Sequence, residues 1–182
     1  MALSVVDTSK SAQDCSSINW KNVQFEQFEH DEKYHREISR LPIQGRLRHM
    51  TLHFAKYAGR LMDDQAEADF RRIATDAMII AISTANTLNI DLAREAIDAD
   101  LSDISRDAFV KRLAISAGRM SSACERLDHL EDFPFRQVLT GETKDILAAC
   151  LALFKTEGWH PVDDMAARLL PVKAKSIFHG ML

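Results

Sequence analysis

Chain breakers are scarce here: 6 glycines and 4 prolines in 182 residues. That leaves little material for the turns of a β-sandwich or barrel and favours long helices. No β-period run stands out, and no tract is of low complexity. The three cysteines, Cys15, Cys124 and Cys150, have no Cys-x-x-Cys spacing; Cys124 and Cys150 sit in helical patterns beside apolar neighbours, which predicts buried, reduced thiols. No apolar window approaches the length of a membrane span and no signal peptide is visible, so the chain is expected to be cytoplasmic with no membrane partner. A net charge of -4 argues against a general nucleic-acid binder, while leaving room for a small anionic ligand at a local basic pocket. There is no glycine-rich phosphate loop, and Ser121 and Ser122 have no His and Asp that the sequence places beside them.

What the chain does contain is a pattern stated twice. Asp76 leads an apolar helix through Ile82 to Asn86, Ile90 and Asp91; Asp145 leads another through Leu151 to Trp159 and Asp163. Upstream of each lies Ala-Gly-Arg and an apolar residue, at Ala58–Leu61 and Ala117–Met120. Two like hairpins, at about 45–92 and 105–160, predict an all-α fold with a four-helix core and short flanking helices. A length of 182 residues suits one all-α domain over 29–182 behind a polar leader, 1–28, pinned by Trp20 and Phe25 or Phe28.

Apolar residues at helical spacing predict long helices over 45–63, 70–88, 107–130 and 140–156. Asp91 and Ser105 are expected caps, the first for a helix over 92–99, and Gly158 an expected terminator. A charged helix over 31–40 is expected to break at Pro42, and a short one after Pro161 to close at Pro171.

In the second hairpin the acids fall in two pairs, Glu125 with Asp128 and Glu142 with Asp145, each spaced i, i+3 on one helix face. Four facing carboxylates would repel unless a hard divalent cation such as Mg²⁺ sat among them, with Mn²⁺ as a substitute. The competing reading is solvated charge on amphipathic helices. In the first hairpin His49, His53, Lys56 and Arg60 form one stripe, suited to phosphate or to ordinary surface charge. His49 and His53, with Asp76, are also a conceivable Zn²⁺ set, although no Glu follows the first His as a metalloprotease would need. His30-Asp31 matches a fragment of a metal motif, but its flanks are polar and no other His precedes it.

These helices resemble the all-α NTP pyrophosphohydrolases, the MazG-like proteins and the dimeric dUTPases. That family pairs Glu-x-x-Glu on one helix with Glu-x-x-Asp opening the next. Asp76, followed by Ala85-Asn86-Thr87-Leu88-Asn89-Ile90-Asp91, matches its second helix, but His53 and Lys56 stand where the first acid pair would fall. Glu125, Asp128, Glu142 and Asp145 fit the acid spacing with one Asp for Glu. The resemblance implies Mg²⁺-dependent cleavage of a nucleoside triphosphate to monophosphate and pyrophosphate, with Glu125 and Glu142 catalytic. It also implies all four acids on the metal, His53, Lys56 and Arg60 on the phosphates, Asp76 and Asn86 in support, and a homodimer. A degenerate member would instead sense nucleotides or bind proteins without catalysis.

Overall fold

The computed structural model describes residues 18–63, 67–95, 97 and 102–175, with Ala68 described by its backbone alone. These residues form seven helices and no strand: α1 (Trp20–Tyr34), α2 (Arg36–Ser39), α3 (Ile43–Met62), α4 (Glu67–Leu88), α5 (Arg106–Asp128), α6 (Phe135–Glu157) and α7 (Pro161–Lys175). Cys15 and most of the polar leader lie outside them. The four long helices make the core: α3 packs on α4 and α5, and α6 completes the ring against the same two.

Each helix starts and stops for local reasons. Ser105 accepts a hydrogen bond from the Ala108 amide and caps α5. Gly158 takes the left-handed conformation, φ 68°, that ends α6. Asp91 caps as expected, through the Ala93 amide; among the described residues the element it caps is a 3₁₀ turn, Leu92–Arg94, and positions 96, 98 and 99 of the expected helix lie outside them. One apolar stripe per helix meets at the centre, where Phe54, Ile73, Met78, Phe109, Met120, Leu147 and Phe154 are almost wholly buried. Burial of such stripes is what stabilises helices of this length. Cys150 is sealed in this core, and burial pushes its thiol pKa upward, away from reactivity.

The flanks depart from expectation. The second part of the predicted leader is helix α1, and Trp20 pins it, whereas Phe25 and Phe28 are exposed. Gln24 explains the docking: its side-chain amide donates to Asn86 Oδ1 (2.9 Å) and the Ile90 carbonyl (2.8 Å), and its oxygen accepts from the Leu92 amide (2.9 Å). A polar helix is thus bound to α4 by hydrogen bonds that no hydrophobic period announces. The 31–40 segment is split at His35 between α1 and α2. At the other end α7 runs through Pro171 to Lys175. A proline here removes one helical bond to the carbonyl of Ala167, and both residues are exposed, so water can take that carbonyl.

Candidate functional site

The first hairpin carries extra layers that the second lacks. Helix α1 lies along α4, α2 joins it to the start of α3, and α7 packs on α4 from the other end. Between them is a cavity of about 420 Å³. Its wall takes Arg46, His49, Met50, His53 and Tyr57 from α3, and Asp76, Ile80, Ser83, Asn86 and Thr87 from α4. Asp31 and His35 enter from the α1–α2 side, and Arg168 and Leu169 from α7.

The α3 wall is a hydrogen-bonded chain. His53 Nδ1 lies 2.9 Å from the Tyr57 hydroxyl and 3.2 Å from Lys56 Nζ, and His53 Nε2 lies 3.1 Å from His49 Nε2. An ammonium can only donate, so His53 Nδ1 is an acceptor, shared by Lys56 and Tyr57, and the ring proton sits on Nε2. That proton is donated to His49 Nε2, which leaves the His49 proton on Nδ1. Burial, then the charge of Lys56, holds the pKa of His53 down to about 4; the same two causes lower that of His49. Both rings are therefore neutral donors and acceptors at neutral pH.

Glu32 and Glu37, also on the lining, are exposed to water, and three other charges at the cavity are already answered. Asp76 is held in bidentate fashion by Arg168, Nε to Oδ1 at 2.6 Å and Nη2 to Oδ2 at 3.2 Å, with Arg72 at 3.7 Å. Asp31 accepts from Ser83 Oγ (2.6 Å) and Gln27 Nε2 (2.8 Å), while burial raises its pKa. Asn86 is spent on α1, exchanging bonds with the Gln24 side chain and carbonyl. Arg46 is different. It lines the cavity, and its Nε is buried with no hydrogen-bond partner. Buried donors are rarely left so, because the desolvation of the group is not repaid.

The predicted phosphate stripe is divided by this geometry. His53 lines the cavity with His49, but Lys56 is exposed, its ammonium 4.9 Å from the Tyr57 ring centre, and Arg60 is absent from the lining. The conceivable Zn²⁺ set is not assembled: the two histidines bond each other, and both Asp76 oxygens belong to Arg168.

The second hairpin's acids are not gathered either, which corrects the expectation of one four-carboxylate site. Asp128 pairs with Arg48 of α3. Glu125 is exposed, with only His129 Nε2 near it at 3.7 Å. Glu142 is buried and accepts from Arg119 Nη1 at 3.2 Å, and its other oxygen has no partner; Asp145 is exposed. Among the described residues no group of three or more His, Cys, Asp or Glu side chains is placed to hold a metal ion. The reason is angular: residues three apart differ by about 60° around a helix. One acid of each pair turns toward a neighbouring helix, and the other toward water.

Arg46, Asp31, Ser83 and Arg168 were not picked out as site residues by sequence. Arg46 stands three residues before His49 and so extends the stripe already visible. Asp31 stands in the His30-Asp31 pair, but only α4 gives it Ser83. Arg168 carries no local signal, because its role depends on α7 reaching Asp76.

No family model matches this chain, and no curated protein or solved structure is significantly similar to it.

Proposed function

We propose that this protein binds a small organic anion of the nucleotide kind in the first-hairpin cavity, and that it does so without metal-dependent hydrolysis. The observation that carries this reading is Arg46, a cation on the cavity lining whose buried Nε has no acceptor within the chain. A phosphate or carboxylate oxygen there would make a charge-assisted hydrogen bond, and His49 Nδ1–H, one turn along, offers a second donor. The body of the ligand would lie on Met50, Ile80 and Leu169. A volume of about 420 Å³ falls within the usual range for such sites.

Two further depressions support the choice by contrast. In one, lined by Arg71, Trp159 and Asp164, lining charges answer each other, Arg71 donating to both Asp164 oxygens at 3.0 and 2.7 Å. The other lies in the groove of Lys111, Arg112 and Ala148, where no buried side-chain polar atom lacks a partner among the described residues. A nucleotide is the first choice of ligand because of the resemblance to the all-α pyrophosphohydrolases. Hydrolysis in that family needs acids around Mg²⁺, and the residues present do not fit such a centre: Glu125, Asp128, Glu142 and Asp145 face different neighbours. The reading is therefore that of a nucleotide-sensing member of the fold.

The test is a thermal-shift and calorimetric screen of nucleoside mono-, di- and triphosphates, with Mg²⁺ and with EDTA. The expected result is stabilisation by at least one nucleotide in both conditions, lost in Arg46→Gln, with no pyrophosphate released. Mg²⁺-dependent release of pyrophosphate, or no response to any nucleotide, would overturn the reading.

A further inference from the structure

Helix α3 is apolar on a second face. Its buried stripe faces the core, yet Leu52, Ala55, Gly59 and Met62, spaced i, i+3, i+7 and i+10, form an exposed row, with Leu52 69% and Met62 62% accessible. An amphipathic helix normally turns polar residues to this side. Beside it on α5 runs a matching row at i, i+3, i+7, i+10 and i+14: Lys111, Ala114, Gly118, Ser121 and Glu125. Ile115, 44% accessible, flanks it. The two helices are antiparallel, Arg48 meeting Asp128 and Thr51 meeting Cys124, so Gly59 lies level with the Ser116–Gly118 turn.

The two glycines carry most weight. Glycine within a helix costs about 1 kcal/mol relative to alanine. A Cβ added at Gly59 or Gly118 would meet nothing within 4 Å, so the fold of this chain does not call for either. Close approach by another backbone would. Gly141 is equally open, but it stands on α6 among Gln137, Lys144 and Asp145, with no exposed apolar row.

The α5 row also has opposite charges at its ends, equally far from Gly118: Lys111 seven residues before and Glu125 seven after. That arrangement is self-complementary under a two-fold rotation. We infer that the α3–α5 face pairs with a second copy of this chain, the α5 helices crossing antiparallel at Gly118, with Glu125 of each copy against Lys111 of the other. Neither group is spent inside the chain: among the described residues Lys111 has no ion pair, and Glu125 has only its distant contact with His129. The inference is independent of the nucleotide reading, since the cavity opens on other faces of α3 and α4.

Light scattering at micromolar concentration is expected to give a dimer mass. Glu125→Lys and Lys111→Glu are each expected to weaken the dimer about tenfold or more through like-charge contact, and the double reversal to restore it. Gly118→Trp is expected to give a monomer with an unchanged helical spectrum, because its side chain points into open space within the chain. In a Cys15→Ser background, Gly118→Cys is expected to form an intermolecular disulfide under mild oxidation, Cys124 and Cys150 being buried. A wild-type monomer at high micromolar concentration would overturn the inference. So would a dimer that survives both Gly118→Trp and Glu125→Lys, since it would be built on another face.

Discussion

The two hairpins share a design and differ in what covers them. In the second, α6 is filled almost end to end: Leu139, Ile146, Leu147, Cys150, Leu151, Leu153 and Phe154 are all buried. In the first, α4 is as apolar, but α1, α2 and α7 wrap one side of it without closing on it, and the remaining space is the cavity. The charges obey the same division. Second-hairpin acids are dispersed among separate partners, whereas the cavity holds a linked set of neutral histidines, a satisfied Asp76–Arg168 pair, an arginine with no acceptor and, at its exposed side, Glu32 and Glu37. A repeated sequence pattern thus secures the bundle twice, while the cavity of about 420 Å³ lined by the histidines lies beside the first half. The elements outside the repeat make the difference.

The largest effect should fall on packing. Phe154→Ala, in the solid half, is expected to cost about 3–5 kcal/mol, and Leu147→Ala about 2–5, measured by chemical denaturation. Ile80→Ala, at the cavity wall, should cost clearly less than Leu147→Ala, because part of its side chain already faces space. Equal losses at the two positions would break the comparison.

Next is the ligand. Arg46→Gln removes the charge-assisted bond and is expected to weaken nucleotide binding by about 1.5–3 kcal/mol with little change in the stability of the free protein. Calorimetry on both proteins checks this. A variant that binds as well as wild type would remove Arg46 from the site.

The pH response should be smaller. His53 holds its proton only near pH 4 when folded, against 6.5 as the ordinary value, because it is buried and faces Lys56, His49 and His35. Between those values the unfolded chain binds more protons, so stability falls as pH drops from 6.5 toward 4. Asp31, whose raised pKa works the other way, makes the mutant comparison necessary. His53→Gln should flatten the loss between neutral and mildly acidic denaturation curves, and an unchanged slope would assign it to other groups.

The smallest effect concerns the acids. Asp145 is exposed, so Asp145→Asn should change stability by less than about 0.5 kcal/mol. Millimolar Mg²⁺ should leave the melting curve where it is. A rise with Mg²⁺ that Asp145→Asn abolishes would restore a metal site to the second hairpin.

The four long core helices were legible in the sequence, to within a few residues at their ends, because their causes are local. Apolar spacing of 3.6 residues, Ser105 as a cap and Gly158 as a left-handed terminator act within a turn or two of chain, and so did the doubling that predicted two hairpins. Pro171 misled because an exposed proline can be carried by a helix whose freed carbonyl meets water. The site was legible only in part. His49 and His53 announced themselves by spacing, but spacing could not say that their rings would bond each other, or that Asp76 would be held by an arginine 92 residues on. Nor could it say that Arg46 would be left without an acceptor. The partners of charges and the space between helices depend on how α1, α2 and α7 dock, and docking is decided by contacts far apart in sequence. The chain by itself determined an all-helical bundle; only the tertiary structure decided which side chains would line the cavity beside the first hairpin, because a cavity is what packing leaves unfilled.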